Sequence, residues 1–434
     1  MTAEQRQAAQ ALMDQIDKST SPFQAVEYVK EELEKAGFTP LFLREKWEIV
    51  PGGRYYVPAY DRTLFAFTVG QRKAERHGLR MAMAHTDFPC FKVKPFPEMT
   101  AHGCRKLNVE PYGGMIRGAW MDRPLSLAGK AVLRGENPFE PRTVLVDFRR
   151  PVLTIPNLAI HMNRKVNEGV CLDPQKDMLP LADLSGAKVQ EDFFLRALAG
   201  EIGCEPGDIL DYEMFLYPWE RGAFVGFEQT MISCPRLDNI TSVRACVQGL
   251  LRAEREEGLN VIALFDNEEV GSETKQGAAS SLLPFLLERV YTALGSSRSD
   301  LLEDLFDGFF LSLDVAHAVH PNAPEKADPV NRPVMGGGVT IKTSASQSYA
   351  GDCETVAVVE ELCRRAGIAC QRFVNHSSQR GGSTQGSIAS AALPMRTMDV
   401  GNAILAMHSA RELMGAADQL AMEKLVEQLF SQNI

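Results

Sequence analysis

No run of lysine and arginine interrupts this chain, and its balance is acidic: 46 Lys and Arg stand against 56 Asp and Glu, a formal charge of −10. Such a chain does not draw phosphate backbones or anionic lipid over long range, so neither nucleic acid nor a membrane is an expected partner. Long apolar runs are missing too; no stretch approaches the roughly 20 residues of a bilayer span. The opening MTAEQRQAAQALMDQIDKST lacks the basic start and apolar core of a secretory leader. No Cys-x-x-Cys pair occurs among the nine cysteines, which are spread from Cys90 to Cys370. An odd, scattered set in a large chain argues against a disulfide framework and for reduced, buried thiols. Together these absences predict a cytoplasmic protein. Internal repeats and low-complexity segments are also lacking.

What is present is an ordinary globular composition, with 45% apolar and 24% charged residues over 434 positions. That length suggests two or three domains. The first residues read as helices: Leu12 and Ile16 share a face, and Ser21-Pro22 is an N-cap followed by a first-turn proline. Phe23, Val26, Val29 and Leu33 then form one stripe that ends before Gly37. Three later segments share one shape: LRMAMAHTD (79–87), LNVIALFDNEE (259–269) and GFFLSLDVAHA (308–318). Each is a short apolar run ending in His, Asp or Glu, the pattern of a strand buried on both faces of a parallel sheet. In open α/β sheets, ligands gather at the carboxyl edge where those polar residues fall. Helical stretches at 239–256 and 281–294 lie between them. Residues 94–233 differ, being rich in Gly, Pro and short β-like runs such as LSLAGKAVLRG and RTVLVDF. The predicted fold is therefore α/β: a mixed sheet flanked by helices, built from 1–93 and 234–434, with a β-rich domain inserted at 94–233.

The polar groups at the strand ends carry the chemistry. In His85-Thr86-Asp87 the imidazole suits a metal, and the Asp can hold the other ring nitrogen; alone the motif is weak. Asp238-Asn239 precedes a helix, where an N-cap is the plain reading, although a carboxylate there can also bridge two cations. The run Asp266-Asn267-Glu268-Glu269 is ordinarily a solvated loop. Here it follows a buried strand and precedes the small residues VGSETKQGAAS. Adjacent carboxylates raise each other's pKa unless a cation sits between them. Glu269 as metal ligand and Glu268 as free base resolves that conflict. Asp314 ends its strand and is followed by His317 and His320, which read equally well as surface histidines. His408, in AILAMHSARELMG, is expected at the start of a helix and could be a buried structural histidine or a ligand. Asp, Glu and His donors without cysteine suit zinc, manganese or cobalt.

The segments HTDFPCFKVKP, YGG followed by DRPLSLAG, CPRLDN, FDNEEVGSETKQGA, SLDVAHAVHPN and AMHSAREL resemble the aspartyl aminopeptidase family of cocatalytic zinc peptidases. The match runs from about residue 20 to 415 and keeps the family's motif order. The resemblance implies an α/β peptidase domain interrupted by a β-rich dimerisation domain, and a homo-oligomer built from dimers, often a dodecamer. It implies two zinc ions per subunit, with manganese or cobalt as substitutes. His85 and Asp314 would hold one ion, Glu269 and His408 the other, and Asp238 would bridge them. Glu268 would be the general base and Asp87 would orient His85. His161, in IPNLAIHMNR, matches a histidine that reaches a neighbouring subunit's site and is read here as binding substrate. His317, Lys342 and Tyr349 match substrate-contacting positions.

Three departures stand out: Phe88 where a small residue is common, YGGMIRGAWMD in place of the usual YGGG-I-W pattern, and Ser378 where an acid is frequent. Phe88 and Ser378 are expected near the cleft. The predicted activity is removal of the first residue of a peptide, with Asp or Glu preferred. Two dications facing three carboxylates leave little net charge to attract an acidic side chain, so a separate cation is needed, and Lys342 helped by His161 fills that role. The competing readings are an aminopeptidase of broader or neutral preference, a deacylase, a noncatalytic shell or cargo protein, and a scaffold without metal.

Overall fold

The computed structural model describes residues 1–72, 78–185, 192–379 and 381–432. Its main sheet is mixed. Four neighbouring strands, Leu259–Phe265, Leu79–His85, Phe309–Leu313 and Arg396–Leu405, run parallel. On one side the hairpin Arg54–Ala59 and Thr63–Val69 joins antiparallel, turning at Tyr60 and Asp61 with φ of 54° and 59°. Left-handed backbone at both turn residues matches the twist of a tight hairpin. On the other side Glu412–Gly415, Met231–Cys234 and Ala223–Val225 follow, all antiparallel.

Side-chain alternation along the parallel strands sorts residues into two cores. Ala82, Ala84, Ile262 and Leu264 face one way and pack with Leu12, Ile16, Val243, Val247 and Leu425, from the helices Ala3–Lys18, Leu237–Arg252 and Asp418–Ser431. Met81, Met83, Val261, Ala263 and Phe265 face the other way and meet Leu286, Leu287 and Leu305 of Leu282–Ala293 and Arg298–Asp307. The sheet is thus covered by helices on both faces, which is why its strands read as continuous apolar runs. Ser21 caps the helix Pro22–Lys35 as expected, its hydroxyl accepting from the Phe23 amide.

A second, six-stranded antiparallel sheet lies between Cys90 and Pro218. Its first strand, Cys90–Ala101, starts before residue 94, while Ala223–Val225 and Met231–Cys234 belong to the main sheet. Phe91, Val93, Leu125 and Phe215 of the second sheet continue the first core without a break. One expectation is corrected. His408 does not start a helix: it sits with φ 64° in the turn between the antiparallel strands Arg396–Leu405 and Glu412–Gly415. The apolar stretch before it is buried on both faces, a pattern that periodicity alone does not separate from a helix. No described helix is long and apolar enough to cross a membrane.

Candidate active site

Each of the four parallel strands delivers acidic or histidine side chains at its carboxyl edge, five in all. His85 is the last residue of its strand, Glu268 and Glu269 follow Phe265, Asp314 follows Leu313, and His408 lies past Leu405. Asp238 comes from across the sheet, at the first turn of Leu237–Arg252, where Asp238 and Asn239 leave helical geometry and the peptide between them is cis. In a regular first turn Asp238 would cap its own helix; here its carboxylate is 3.4 Å from His85 Nε2 and 3.2 Å from His408 Nε2. Asp314 lies 3.8 Å from His85 Nε2, and Glu269 lies 3.6 Å from His408 Nε2.

These atoms form overlapping groups. Donor atoms of His85, Asp238 and Asp314 all lie within 4.8 Å of one another, and so do those of Asp238, Glu269 and His408. Asp238 is common to both. His85, Glu268 and Glu269 make a third such group. Whether the residues fit a pair of cations can be tested on their hydrogen bonding. Asp238 Oδ1 and Glu269 Oε1 are buried yet accept no hydrogen bond, a costly state for carboxylate oxygens unless a cation satisfies them. Oxygen and imidazole donors without thiolate are the set that zinc, manganese and cobalt accept. The site fits.

The charges are strongly coupled. Burial pushes the Glu268 carboxyl up; His85 opposes this, and Asp314, Asp87 and Asp238 add to it. Burial and Asp238 push Glu269 well up in the same way. Burial alone would lower the two histidines. Glu268, Asp238, Asp314 and Asp87 instead hold His85 well above its ordinary value, and Asp238 and Glu269 raise His408 to about 10. Carboxylates crowded to this degree are an anion cage whose natural complement is positive charge.

Asp87 acts differently from the sequence expectation. His85 Nδ1 is 3.0 Å from the Asp87 main-chain carbonyl and 3.5 Å from its carboxylate. The carboxylate instead accepts the amides of Glu268 and Glu269, both at 3.1 Å, and the Tyr112 hydroxyl at 2.7 Å. It therefore holds the two glutamates as well as the histidine. Tyr112, which sequence reasoning gave no role, also accepts from Asn267. The next residue, Gly113, has φ +74°, and a Cβ there would lie 3.0 Å from Glu269 Cβ. Only glycine lets the second sheet come this close, and the YGG triplet was its visible signal.

His317, Lys342 and Tyr349 line the same cleft of about 500 Å³, with Met115, Ile116, Phe373 and Met407 among the other walls. Lys342 is almost fully buried; its ammonium donates to the carbonyls of Asp314 and Val315, lies 3.6 Å from the Asp314 carboxylate and stands over the Tyr349 ring. The His317 ring opens onto the cleft but is enclosed elsewhere, and that desolvation, with the Lys342 ammonium, keeps its pKa below the ordinary value. His161 is not brought to this cleft: it lies on an exposed turn of its own chain. Phe88 and Ser378, expected near the cleft, are not among the residues that form its walls. The Phe88 ring is buried beneath the Arg236 guanidinium, and Ser378 is exposed and bonded to His376.

Comparison with known proteins agrees with the motif resemblance. The model of the M18 family, aminopeptidase I zinc metalloprotease, matches residues 15–430. A probable M18 family aminopeptidase 2 of Clostridium acetobutylicum is 44% identical over 425 residues, 98% of either chain. Among solved structures, a chain of the cryo-EM structure of the Ape4 and Nbr1 complex superposes with a TM-score of 0.95 at 31% identity, covering 99% of this chain and 86% of the other. The S. cerevisiae mApe1 dodecamer superposes at 0.84 with 27% identity, covering 98% and 96%.

Proposed function

The chain belongs to the M18 family of aminopeptidases, and from that membership we propose that it is a dinuclear enzyme, loaded with two zinc ions, that prefers peptides beginning with Asp or Glu. Its coarse activity is that of its family, metal-dependent hydrolysis of the N-terminal residue. The observation that carries the finer reading is the pair of three-residue groups sharing Asp238. His85 and Asp314 would hold one ion, Glu269 and His408 the other, with Asp238 between them. Bound there, the ions would supply Lewis acidity to the scissile carbonyl and to the attacking water.

The chain's own residues do the rest. Glu268, held by its amide against Asp87 and with its carboxylate 4.0 Å from His85, takes the proton of the attacking water and returns it to the leaving amine. Asp87 fixes the backbone that carries both glutamates. Lys342 is a buried cation on the cleft wall; it donates to two carbonyls and lies 3.6 Å from the Asp314 carboxylate, and a substrate carboxylate would compete with Asp314 for its third proton. His317 and Tyr349 complete that wall.

The proposed domains are 1–93 with 234–434 for catalysis and 94–233 for dimerisation, with the sheet boundaries moving those edges to about Cys90 and Pro218. Dimers would assemble further, and the mApe1 dodecamer supports an assembly of that size. His161, exposed in its own subunit, would then serve a neighbour's substrate. The proposed location is the cytoplasm. A noncatalytic shell or cargo role is the competing reading; the full set of donors at the cleft weighs against it.

Peptides beginning with Asp, Glu, Leu and Ala, compared for wild type and Lys342→Ala, test the specificity. The Asp/Leu ratio of kcat/KM should fall roughly 10- to 100-fold in the variant, the size of a hydrogen bond to a charged group. An equal loss on all peptides would remove Lys342 as the source of the preference, and a wild-type preference for Leu would remove the acidic preference itself.

A further inference from the structure

Behind the Asp238–His408 side of the cluster lies a carboxylate given no role so far. Glu412 opens the strand Glu412–Gly415, is paired with Cys234 across the sheet, and is almost fully buried. One of its oxygens accepts the main-chain N–H of Asp238 at 3.0 Å, and the other accepts that of His408 at 2.8 Å. The two amides are far apart in sequence, and both belong to irregular backbone. Asp238 lies two residues after Arg236, which has φ 58°, and is itself non-helical inside a helix; His408 has φ 64°. Neither amide can be satisfied by a regular ladder, so a single side chain supplies both acceptors. The same carboxylate thereby fixes the distance between the two backbones whose side chains approach to 3.2 Å on the other side.

On the dinuclear reading above, we propose that Glu412 is a positioning residue for one half of the centre: it sets the separation of Asp238 and His408 and so the affinity of the ion they share with Glu269. His85 and Asp314 have no hydrogen bond to Glu412 and hang on their own parallel strands. The second ion, two of whose ligands Glu412 places, should therefore depend on it more strongly than the first, which shares only Asp238. Glutamine cannot replace it, because its amide would put a donor against one of the two N–H groups.

The test is to strip the full-length protein of metal and titrate it with Zn²⁺ by calorimetry, and with Co²⁺ by visible absorption, for wild type and Glu412→Gln. Wild type should take up two ions. In Glu412→Gln one site should weaken about 10- to 100-fold, the usual effect of losing a group that orients a ligand, while the other, which shares only Asp238, weakens by clearly less. His408→Ala and Asp314→Ala give the signatures of losing either half, and Glu412→Gln must match His408→Ala. Should Glu412→Gln not fold, Glu412→Asp, which keeps charge and both acceptors but sets them one methylene back, is titrated in the same way. Two unchanged sites, or equal weakening of both, overturns the role of Glu412. A wild type that binds no second ion instead overturns the dinuclear reading on which it rests.

Discussion

Glu268 and Glu269 are chain neighbours, and both give their amides to Asp87, yet their carboxylates diverge. Glu269 turns toward His408, with an unsatisfied oxygen in the cluster, while Glu268 stays at the cleft edge near His85. This divergence is the physical basis for proposing a ligand beside a base. Glu268→Gln keeps the shape and removes the proton acceptor. It should leave metal content unchanged and lower kcat by about 10²- to 10⁴-fold, the range for a general base. Steady-state kinetics on metal-assayed protein decides this, and a kcat within a few-fold of wild type would remove Glu268 from the role. The residues that converge here were legible because His, Asp and Glu at the ends of apolar runs are rare enough to notice. Tyr112 and Glu412 were not. Their partners Asp87 and Asp238 lie 25 and 174 residues away, and a tyrosine or glutamate inside a strand is unremarkable until that distance has been closed.

Among the elements, the strand Leu259–Phe265 is tied to the second sheet through one buried cation. Arg62, in the hairpin after Asp61, is 2.6 Å from Asp266 at the strand's end and 2.9 Å from Glu213 of Ile209–Pro218, with its guanidinium over Phe23 and Phe215. Asp266 is fully buried, and Gln276 provides another of its hydrogen bonds. Arg62→Ala would leave that carboxylate uncompensated, two residues before Glu268. The expected cost is about 3–5 kcal/mol, as for other broken buried pairs, read from the urea midpoint of metal-free protein. A change below about 1 kcal/mol, the range of exposed pairs, would show that the network does not join the elements. At this scale the parallel core was legible, since strands covered on both faces write their burial as unbroken apolar runs. The short antiparallel strands that extend the sheet were not, because 3- and 4-residue pieces such as Ala223–Val225 and Glu412–Gly415 carry too little pattern. The turn holding His408 was misread as a helix start for a related reason: apolar and small residues precede it without alternation.

For the molecule as a whole, the sheet edge gathers donors from four strands and one helix start, and the second sheet closes one side of the cleft through Tyr112, Gly113 and Ile116, the last donating its amide to the His408 carbonyl. Exposed apolar side chains outside the cleft, including Phe96, Phe139 and Phe227 at 94%, 89% and 112% relative exposure, are compatible with the proposed self-association. Fold class was readable from the alternation of apolar runs and helices. The approach of the second sheet to the donors was not, since it depends on contacts between distant segments. The most direct measurement is activity against bound metal in one titration of chelator-stripped protein. Hydrolysis of an N-terminal Asp peptide should be negligible without metal and rise to its full rate as two equivalents per chain are taken up. Full rate in the stripped protein, or saturation of both binding and rate at a single equivalent, would contradict a catalytic pair of ions bridged by Asp238.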